Sequence, residues 1–444
     1  MIGDHRHRPP VLPLLIAFLL LSTTVSHALA QWKNNQRTHE LSWLRDDEMR
    51  ALAKLTDVQS IWSLLRPILV ERQVGTPQHD AVAHYLKTKV EEFGFTAEWD
   101  SFMAHTPMGV KRFHNLVATF DPLIHRRLVL ACHYDSKIIP GKVFIGATDS
   151  ALPCALLLDI AKTLGPLLAS RTNQRQQFQF RHPQQWPVGP PSSPTWPNIG
   201  HRRRRRRATL FVPPPPPPTS SGGGAILAQL PQSRASVVPN SWPIPPQSPP
   251  PANTRRGGGE KVDSHITLQL IFLDGEEAFH EWSHLDSIYG ARHLADTWER
   301  KWYPSTDGSA FELSREIDRI DVFVLLDLLG AKNPHIQSVP GHGAASLFEQ
   351  LPYTEGQLAK LNLLNRIPRI FYPGTSYFGA VEDDHLAFMR KGVPVLHLIS
   401  VPFPHFWHTP GDNANILDNP TIENLATIMR VFVARYLGIH PTVL

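Results

Sequence analysis

Acidic and imidazole side chains stand directly after several apolar runs of this sequence, and one aspartate stands before a helical stretch. The set consists of His133, Asp149, Glu277, Asp327 and His408. Carboxylate oxygens and imidazole nitrogens are ligands of catalytic zinc, whose sites keep one position open for substrate. The types and placement of these residues therefore predict a catalytic zinc site.

Each residue taken singly also has a structural explanation. A strand-end aspartate is commonly a turn former, and Asp149 followed by Ser150 would cap the helix that begins at Ala151. A histidine beside a tryptophan, as at Trp407-His408, is commonly a packed surface residue. It is their joint placement at successive strand ends that favours one shared site.

The elements that must position these residues alternate between strands and helices. Apolar runs of strand length occupy Asn115–Phe120, Leu128–His133, Leu268–Leu273, Val322–Leu326 and Val393–Ile399. Helical spacing of apolar residues covers Leu41–Phe93, Ala151–Leu168, Ile288–Trp302 and Ile422–Leu437. Runs that are apolar on both faces predict an α/β fold, with a mostly parallel central sheet and helices on both faces. Ligands of such sheets bind outside the carboxyl ends of the strands, where the acids and histidines stand.

One segment departs from this pattern. Residues 171–259 hold 20 of the 42 prolines and 12 arginines, with no lysine, aspartate or glutamate. The segment contributes +12 to a total charge of +5, so the other residues carry −7, which argues against nucleic-acid binding by the folded part. Its composition predicts a disordered Pro/Arg-rich insertion. A polyproline or polybasic docking segment and a translated intron are the alternatives.

The first 30 residues have the features of a signal peptide. The apolar run Val11–Leu21 is shorter than the roughly 20 residues that span a bilayer, and Ala28–Ala30 has the small-x-small pattern of a cleavage site. A retained N-terminal anchor is the alternative. Either would bring the chain into the secretory pathway, so we expect a secreted or Golgi-lumenal protein.

The chain has two cysteines, Cys132 and Cys154. In an oxidising compartment they are candidates for a disulfide bond. Two buried free thiols, each acting as a small apolar side chain, are the alternative.

Longer motifs around these residues carry a family resemblance. The strings are Ala131–Lys137, Gly146–Ala151, Asp274–Ala278, Leu326–Ala331, Asp383–His385, Val395–His397 and Phe403–His408. Together they resemble the animal glutaminyl cyclases, or glutaminyl-peptide cyclotransferases, and Val381–Asp384 resembles the Golgi-resident members slightly more than the secreted ones. The resemblance runs from about Thr56 to Gly438 outside the insertion, and it implies a zinc-aminopeptidase-like fold.

The resemblance also implies an activity and a role for each residue. The family uses one Zn²⁺ per chain to convert N-terminal glutamine, and more slowly glutamate, to pyroglutamate, with release of ammonia from glutamine. The implied zinc ligands are Asp149, Glu277 and His408. The implied catalytic acids are the proton carrier Glu276 and the pair Asp327 and Asp383, supported by Ser150 and His397. The implied aromatic walls of the substrate pocket are Trp282, Phe403 and Trp407.

We therefore expect one zinc-dependent cyclase domain, built from residues 31–170 and 260–444. The expected substrates are peptides and proteins with N-terminal glutamine. We expect no nucleic-acid partner, contact with a membrane only if the N-terminal segment is retained, and a monomeric chain. One alternative is a two-zinc aminopeptidase of the same fold, in which His133 and Asp327 hold a second ion beside Asp149. The other is a catalytically inactive binding homologue.

Overall fold

The computed structural model describes Gln36 and residues 39–181, 266–304, 313–376 and 381–441 of the chain. The predicted signal peptide or anchor at residues 1–30 lies outside the described residues, and so does most of the predicted insertion. Described residues on both sides of the gap from 182 to 265 build the same central sheet, because β3 and β4, defined below, are paired neighbours.

A six-stranded sheet forms the centre of the fold. Its strands are β1 (Thr96–Thr106), β2 (Gly109–Thr119), β3 (Arg126–His133), β4 (Ile266–Leu273), β7 (Ile320–Leu326) and β10 (Val395–Leu398), in the order β1-β2-β4-β3-β7-β10. Strands β4, β3, β7 and β10 are parallel, and the β1–β2 hairpin adds antiparallel to β4. Two small sheets pair β5 (Trp302–Pro304) with β6 (Leu313–Arg315) and β8 (Ile336–Ser338) with β9 (Phe371–Thr375). The predicted α/β class and all five predicted strands are confirmed.

Helices cover the sheet. They are α1 (Asp46–Ala53), α2 (Val58–Leu65), α3 (Pro77–Glu92), α4 (Leu152–Arg181), α5 (Tyr289–Arg300), α6 (Ala345–Phe348), α7 (Gln350–Lys360), α8 (His385–Met389) and α9 (Asn419–Leu437). Caps explain several of their ends: the Asp57 carboxylate accepts two N–H groups at the start of α2, and Gly438 ends α9 in the left-handed conformation. The predicted helical stretch from Leu41 to Phe93 contains three α-helices, which are α1, α2 and α3.

The parallel strands are buried on both faces. In β3, Leu128 and Leu130 pack into the core cluster on the side of α4 and α9, whereas Val129 and Ala131 pack toward α5 and α8. Strands apolar on both faces are what a sheet covered by helices on both sides requires. The edge strand β1 is half-exposed throughout and has no apolar run, which is why the sequence did not predict it.

Helix α4 continues past the predicted domain boundary. It runs to Arg181, so residues 171–181 are helical, whereas the predicted insertion begins at residue 171; that boundary stays a prediction. The side chain of Arg171 explains part of this, because it donates a hydrogen bond to the carbonyl of Leu437. The stretch Ala147–Thr172 is long and apolar enough to cross a membrane, but most of it is buried inside the protein. It is the central helix of the core.

Candidate active site

Three of the predicted residues converge at the carboxyl ends of the strands. Nε2 of His408 lies 3.5 Å from Oδ2 of Asp149 and 3.5 Å from Oε1 of Glu277. Both of these carboxylate oxygens are buried and have no hydrogen-bond partner among the residues that the structure describes. Buried anionic oxygens without partners are costly unless a cation neutralises them. The donor set therefore fits a zinc ion held by two carboxylates and one imidazole.

A tight turn over Ala147–Ala151 presents Asp149 directly before α4. The buried guanidinium of Arg72 donates hydrogen bonds to the carbonyl oxygens of Gly146 (3.0 Å) and Asp149 (3.1 Å). Gly146 has a φ of 57°, and a Cβ at this position would stand 2.1 Å from the carbonyl oxygen of Asp149. The turn therefore requires glycine here. These contacts fix the direction of the Asp149 carboxylate.

Asp135 positions the two adjacent glutamates that follow β4. Its carboxylate accepts the backbone N–H of Glu276 at 3.1 Å and that of Glu277 at 3.2 Å. The Lys137 ammonium lies 3.2 Å from Oε2 of Glu277, which leaves Oε1 to face His408. One glutamate thus points at the metal position, and its neighbour is held beside it in the same buried loop.

The carboxyl group of Glu276 is suited to proton transfer. Burial raises the pKa of Glu276 well above its usual value. His133 opposes this shift, but the negative charges of Glu277 and Asp383 reinforce it. Like charges gathered in a desolvated site favour the protonated form of one of them.

Asp327 lies behind the metal position at the end of β7. It accepts a hydrogen bond from the hydroxyl of Ser150, and its Oδ1 lies 3.6 Å from Nε2 of His133. Burial raises the pKa of Asp327 to about 6, although the hydrogen bond from His133 opposes the shift. Nε2 of His133 lies 3.0 Å from Oδ1 of Asp149, so these atoms already satisfy one another. His133, Asp149 and Asp327 are the residues that would hold the second ion of the aminopeptidase alternative, and one ligand atom from each lies within 4.8 Å of the others.

Asp383 and His397 form a buried pair on the other side of Glu276. Oδ2 of Asp383 lies 2.7 Å from Nε2 of His397, and its Oδ1 accepts the N–H of Asp384 at 2.6 Å. His397 is on β10 and Asp383 precedes α8, so the end of the sheet holds the pair. The structure thus brings the predicted supporting residues to the predicted acids.

The predicted aromatic walls lie at the mouth of the site. The indole of Trp407 stacks on His408 with ring centroids 3.9 Å apart, and Phe403 meets Trp407 edge-on at 4.7 Å. Trp282 donates its indole N–H to the carboxylate of Glu382 at 2.9 Å. Trp282 and Trp407 are 37% and 38% exposed, which leaves part of each ring available to a ligand.

Cys132 and Cys154 are adjacent but are free thiols in this structure. Their sulfur atoms are 2.8 Å apart, a hydrogen-bonding contact and longer than the roughly 2.05 Å of a disulfide bond. Both are buried between β3 and α4. The disulfide therefore stays a prediction.

Sequence reasoning missed three residues that organise the site. Arg72 has no local signal, because it acts on a turn more than 70 residues away. Asp135 stands in the same motif as His133, and the order of a histidine and an aspartate after a strand could have indicated it. Asp384 is fully buried, neither of its carboxylate oxygens has a partner, and burial raises the pKa of its carboxyl well above the usual value.

The fold and the site are those of Peptidase family M28. The model of Peptidase family M28 matches residues 115–180 and 256–433, which include every predicted metal ligand. A solved Zn-dependent exopeptidase from Parabacteroides distasonis shares the fold, with a TM-score of 0.52 at 16% identity, over 85% of this chain and 98% of that chain.

Curated relatives narrow the assignment further. The chain is 35% identical over 417 residues to the glutaminyl-peptide cyclotransferase of Gloydius blomhoffii, covering 92% of this chain and 89% of that protein. It is 34% identical over 449 residues to the glutaminyl-peptide cyclotransferase-like protein of Mus musculus, covering 97% and 92%. The solved glutaminyl cyclase of Macrostomum lignano superposes with a TM-score of 0.65 at 29% identity, over 92% of this chain and 98% of that chain. The chain belongs to the glutaminyl-peptide cyclotransferase family.

Proposed function

We propose that this chain is a zinc-dependent acyltransferase that cyclises the N-terminal glutamine of peptides and proteins to pyroglutamate and releases ammonia. It acts more slowly on N-terminal glutamate. The observation that carries the proposal is the arrangement of Asp149, Glu277 and His408, with the high-pKa carboxyl of Glu276 beside them. Membership of the glutaminyl-peptide cyclotransferase family assigns the cyclisation reaction to this arrangement.

Asp149, Glu277 and His408 would hold one zinc ion. When bound, zinc supplies Lewis-acid polarisation of the side-chain amide of the substrate glutamine. The support for a count of one is the resemblance of the surrounding motifs to a one-zinc family, together with the buried oxygens of Asp149 and Glu277 that face His408. The two-zinc aminopeptidase would bind a second ion at His133, Asp149 and Asp327.

Glu276 carries the proton in the reaction. Its carboxylate takes a proton from the α-amino group as that nitrogen attacks the side-chain amide carbon. It then returns the proton to the departing nitrogen, the carbon–nitrogen bond of the amide breaks, and ammonia leaves. A pKa raised by burial suits a group that must both accept and donate a proton near neutral pH.

The paired acids orient the substrate. Asp327 and Asp383 are each held by a neighbour, Ser150 for the first and His397 for the second, so their oxygens keep fixed positions. A carboxyl pair that shares a proton can both accept a hydrogen bond from the substrate amide and donate one to it. This geometry would hold the side chain folded back toward the α-amine, as ring closure requires.

The aromatic residues select a short, N-terminal side chain. Trp282, Phe403 and Trp407 surround the mouth with apolar surface, which packs against the glutamine methylene groups and excludes water. Residues after the glutamine would extend past the exposed tryptophan edges into solvent. The substrates are therefore chain ends of many peptides rather than one particular peptide.

We also propose that the chain acts as a monomer in the secretory pathway, either secreted or in the Golgi lumen. The support is the N-terminal sequence, with its apolar run and small-x-small site. Retention of that segment would attach the enzyme to a membrane. No nucleic-acid partner is proposed, because the chain outside 171–259 is acidic.

The test is to incubate purified, zinc-loaded protein with a glutamine-initiated peptide and to measure ammonia together with the loss of one NH₃ from the peptide mass. Glu276→Gln should retain zinc and lose about 10² to 10⁴ in kcat. Glu281→Gln, in the same loop but exposed, is the matched control and should keep full activity. Release of free N-terminal residues instead of ring closure would identify an aminopeptidase. Neither ring closure nor release of N-terminal residues would identify a binding homologue.

A further inference from the structure

A cluster of three histidines lies behind the acid pair and is not used by the proposed reaction. His342 is in the loop after β8, His385 begins α8 and His397 is on β10. The ring centroids are 4.3 Å apart for His385 and His397 and 4.7 Å apart for His342 and His385. All three are buried, with His342 the most exposed at 8%.

The polar atoms of this cluster are not satisfied. Both ring nitrogens of His385 and Nδ1 of His397 are buried and have no hydrogen-bond partner. A buried imidazole that packs only for structural reasons normally donates or accepts at least one hydrogen bond, because leaving the group unpaired costs about 1–3 kcal/mol. Among the described residues His385 makes no hydrogen bond through either ring nitrogen, whereas His397 is paired with Asp383 through Nε2 and has only Nδ1 unpaired. Unpaired ring nitrogens on two adjacent buried histidines point to a ligand.

Burial disfavours the charged form of two of these histidines, His342 and His385. Burial lowers the pKa of His385 well below its usual value, and proximity to His397 and His342 lowers it further. Burial likewise lowers the pKa of His342 to about 4. Neutral imidazoles expose a nitrogen lone pair, and a carboxylate lies beside them, because Asp383 contacts His397. Imidazole with one carboxylate is a donor set for zinc, copper or nickel.

We propose that Asp383, His385 and His397 form a second, regulatory site for a divalent transition metal, with His342 as the neighbour that orients His385. One ligand atom from each of the three residues lies within 4.8 Å of the others, close enough for modest side-chain movement to place them around one ion. The site shares no residue with Asp149, Glu277 and His408, so both ions can be bound at once.

Occupation of this site would slow the reaction, an effect that rests on the proposed function. Asp383 would give its carboxylate to the ion and would no longer share a proton with Asp327 or orient the substrate amide. The first ion would keep its three ligands, and Glu276 would lose the negative charge of Asp383 that helps to raise its pKa. Excess zinc therefore becomes an inhibitor of an enzyme that needs zinc, with substrate affinity and turnover both reduced.

The binding arm of the test uses zinc alone. Protein carrying one equivalent of zinc is titrated with Zn²⁺ and bound metal is counted by mass spectrometry, with cobalt absorption as a second readout. Wild type should bind a second equivalent, and His342→Gln should weaken that step about 10- to 100-fold, as loss of a residue that orients a ligand does. His385→Asn should abolish it. The exposed control His84→Gln should bind like wild type.

Several results would overturn the site. Wild-type protein that binds only one equivalent of zinc would overturn it. Undiminished binding of a second equivalent by His342→Gln and His385→Asn would overturn it as well. If Asp327→Asn loses the second ion while His342→Gln keeps it, the ion sits beside His133 instead. His342→Gln decides the matter if His385→Asn does not fold.

The activity arm separates this inference from the proposed function. Ammonia release from a glutamine peptide should fall at the zinc concentration that fills the second site, and His342→Gln should shift that midpoint by the same factor as it shifts binding. Second-site binding with unchanged activity would overturn the regulatory role. An enzyme inactive at one equivalent would overturn the proposed function, while the binding measurement would still report on the site.

Discussion

Glu355, far from the active site in sequence, provides a sharp test of how burial controls stability. It lies in α7, is 3% exposed, and its carboxylate accepts the N–H of Ile370 at 2.8 Å and of Phe371 at 3.0 Å. Burial raises the pKa of Glu355 from an ordinary value of 4.5 to about 7, although the two hydrogen bonds oppose the shift. The folded protein therefore holds this proton more tightly than the unfolded chain does.

The sign and the size of the effect follow from this difference. Because the folded state binds more protons between pH 4.5 and pH 7, the free energy of unfolding falls as the pH rises through that window. A shift from 4.5 to about 7 corresponds to about 3 kcal/mol at about 1.4 kcal/mol per unit. Below this window the contribution of Glu355 is fully present, and above pH 7 it is lost.

Glu355→Gln removes the titration and keeps the shape of the side chain. Urea unfolding of both proteins at pH 5, 6, 7 and 8 gives the difference in free energy of unfolding, in which other titrating groups cancel. At pH 5 the variant should be less stable by about 1 kcal/mol, because the amide accepts one N–H where the carboxyl accepts two. By pH 8 the difference should have moved about 3 kcal/mol in favour of the variant.

The half-buried Glu349 is the matched control. Its carboxylate also accepts a backbone N–H from β9, because the N–H of Gly374 lies 2.9 Å away. Glu349→Gln therefore makes the same chemical change at a more solvent-exposed position. Comparing the two variants separates the effect of burial from the effect of the substitution itself. A Glu355→Gln difference that stays constant from pH 5 to pH 8 would refute the reasoning.

Other perturbations test the site and the packing. Asp135→Asn should lower zinc affinity or kcat about 10- to 100-fold, measured by metal titration and ammonia release, because this carboxylate holds the backbone of the glutamate loop. Gly290→Ala should destabilise the fold by about 1–3 kcal/mol in urea unfolding, since its Cβ would stand 2.4 Å from the carbonyl oxygen of Asp274, whereas Gly356→Ala meets nothing within 4 Å and should be neutral or slightly stabilising. Chelation should abolish ammonia release and added zinc restore it, whereas irreversible loss would contradict a simple metal site. Deleting residues 182–259 should leave activity unchanged, because every residue proposed for the site lies outside this segment, and an inactive but folded product would contradict this.

Much of the architecture could be predicted because the relevant signals are local. A strand that is buried on both faces must be apolar along its whole length, so β3, β4 and β7 are visible in the sequence as uninterrupted runs. Parallel strands end at one edge of the sheet, so the polar residues that follow each run were expected to meet there. The resemblance of the surrounding motifs supplied the reaction and the separate roles of Glu276 and Glu277.

Elements without such a signal were missed or misplaced. β1 is half-exposed at the sheet edge, where neither an apolar run nor strict alternation is required. Helix α4 continues into the segment predicted to be disordered, because Arg171 finds a carbonyl at the end of α9. That partner is more than 260 residues away, so no window of sequence around Arg171 contains the reason.

The sequence by itself determined the α/β class, the residues with metal-binding chemistry and the family. The tertiary structure alone decided which of those residues face one another: His408 lies opposite Asp149 and Glu277, and His133 lies against Asp149. It also decided that Arg72 holds the Asp149 turn and that His385 is buried without a partner. The physical reason is that residue type and periodicity are properties of the chain, whereas burial and hydrogen bonding depend on which distant segments the fold brings into contact.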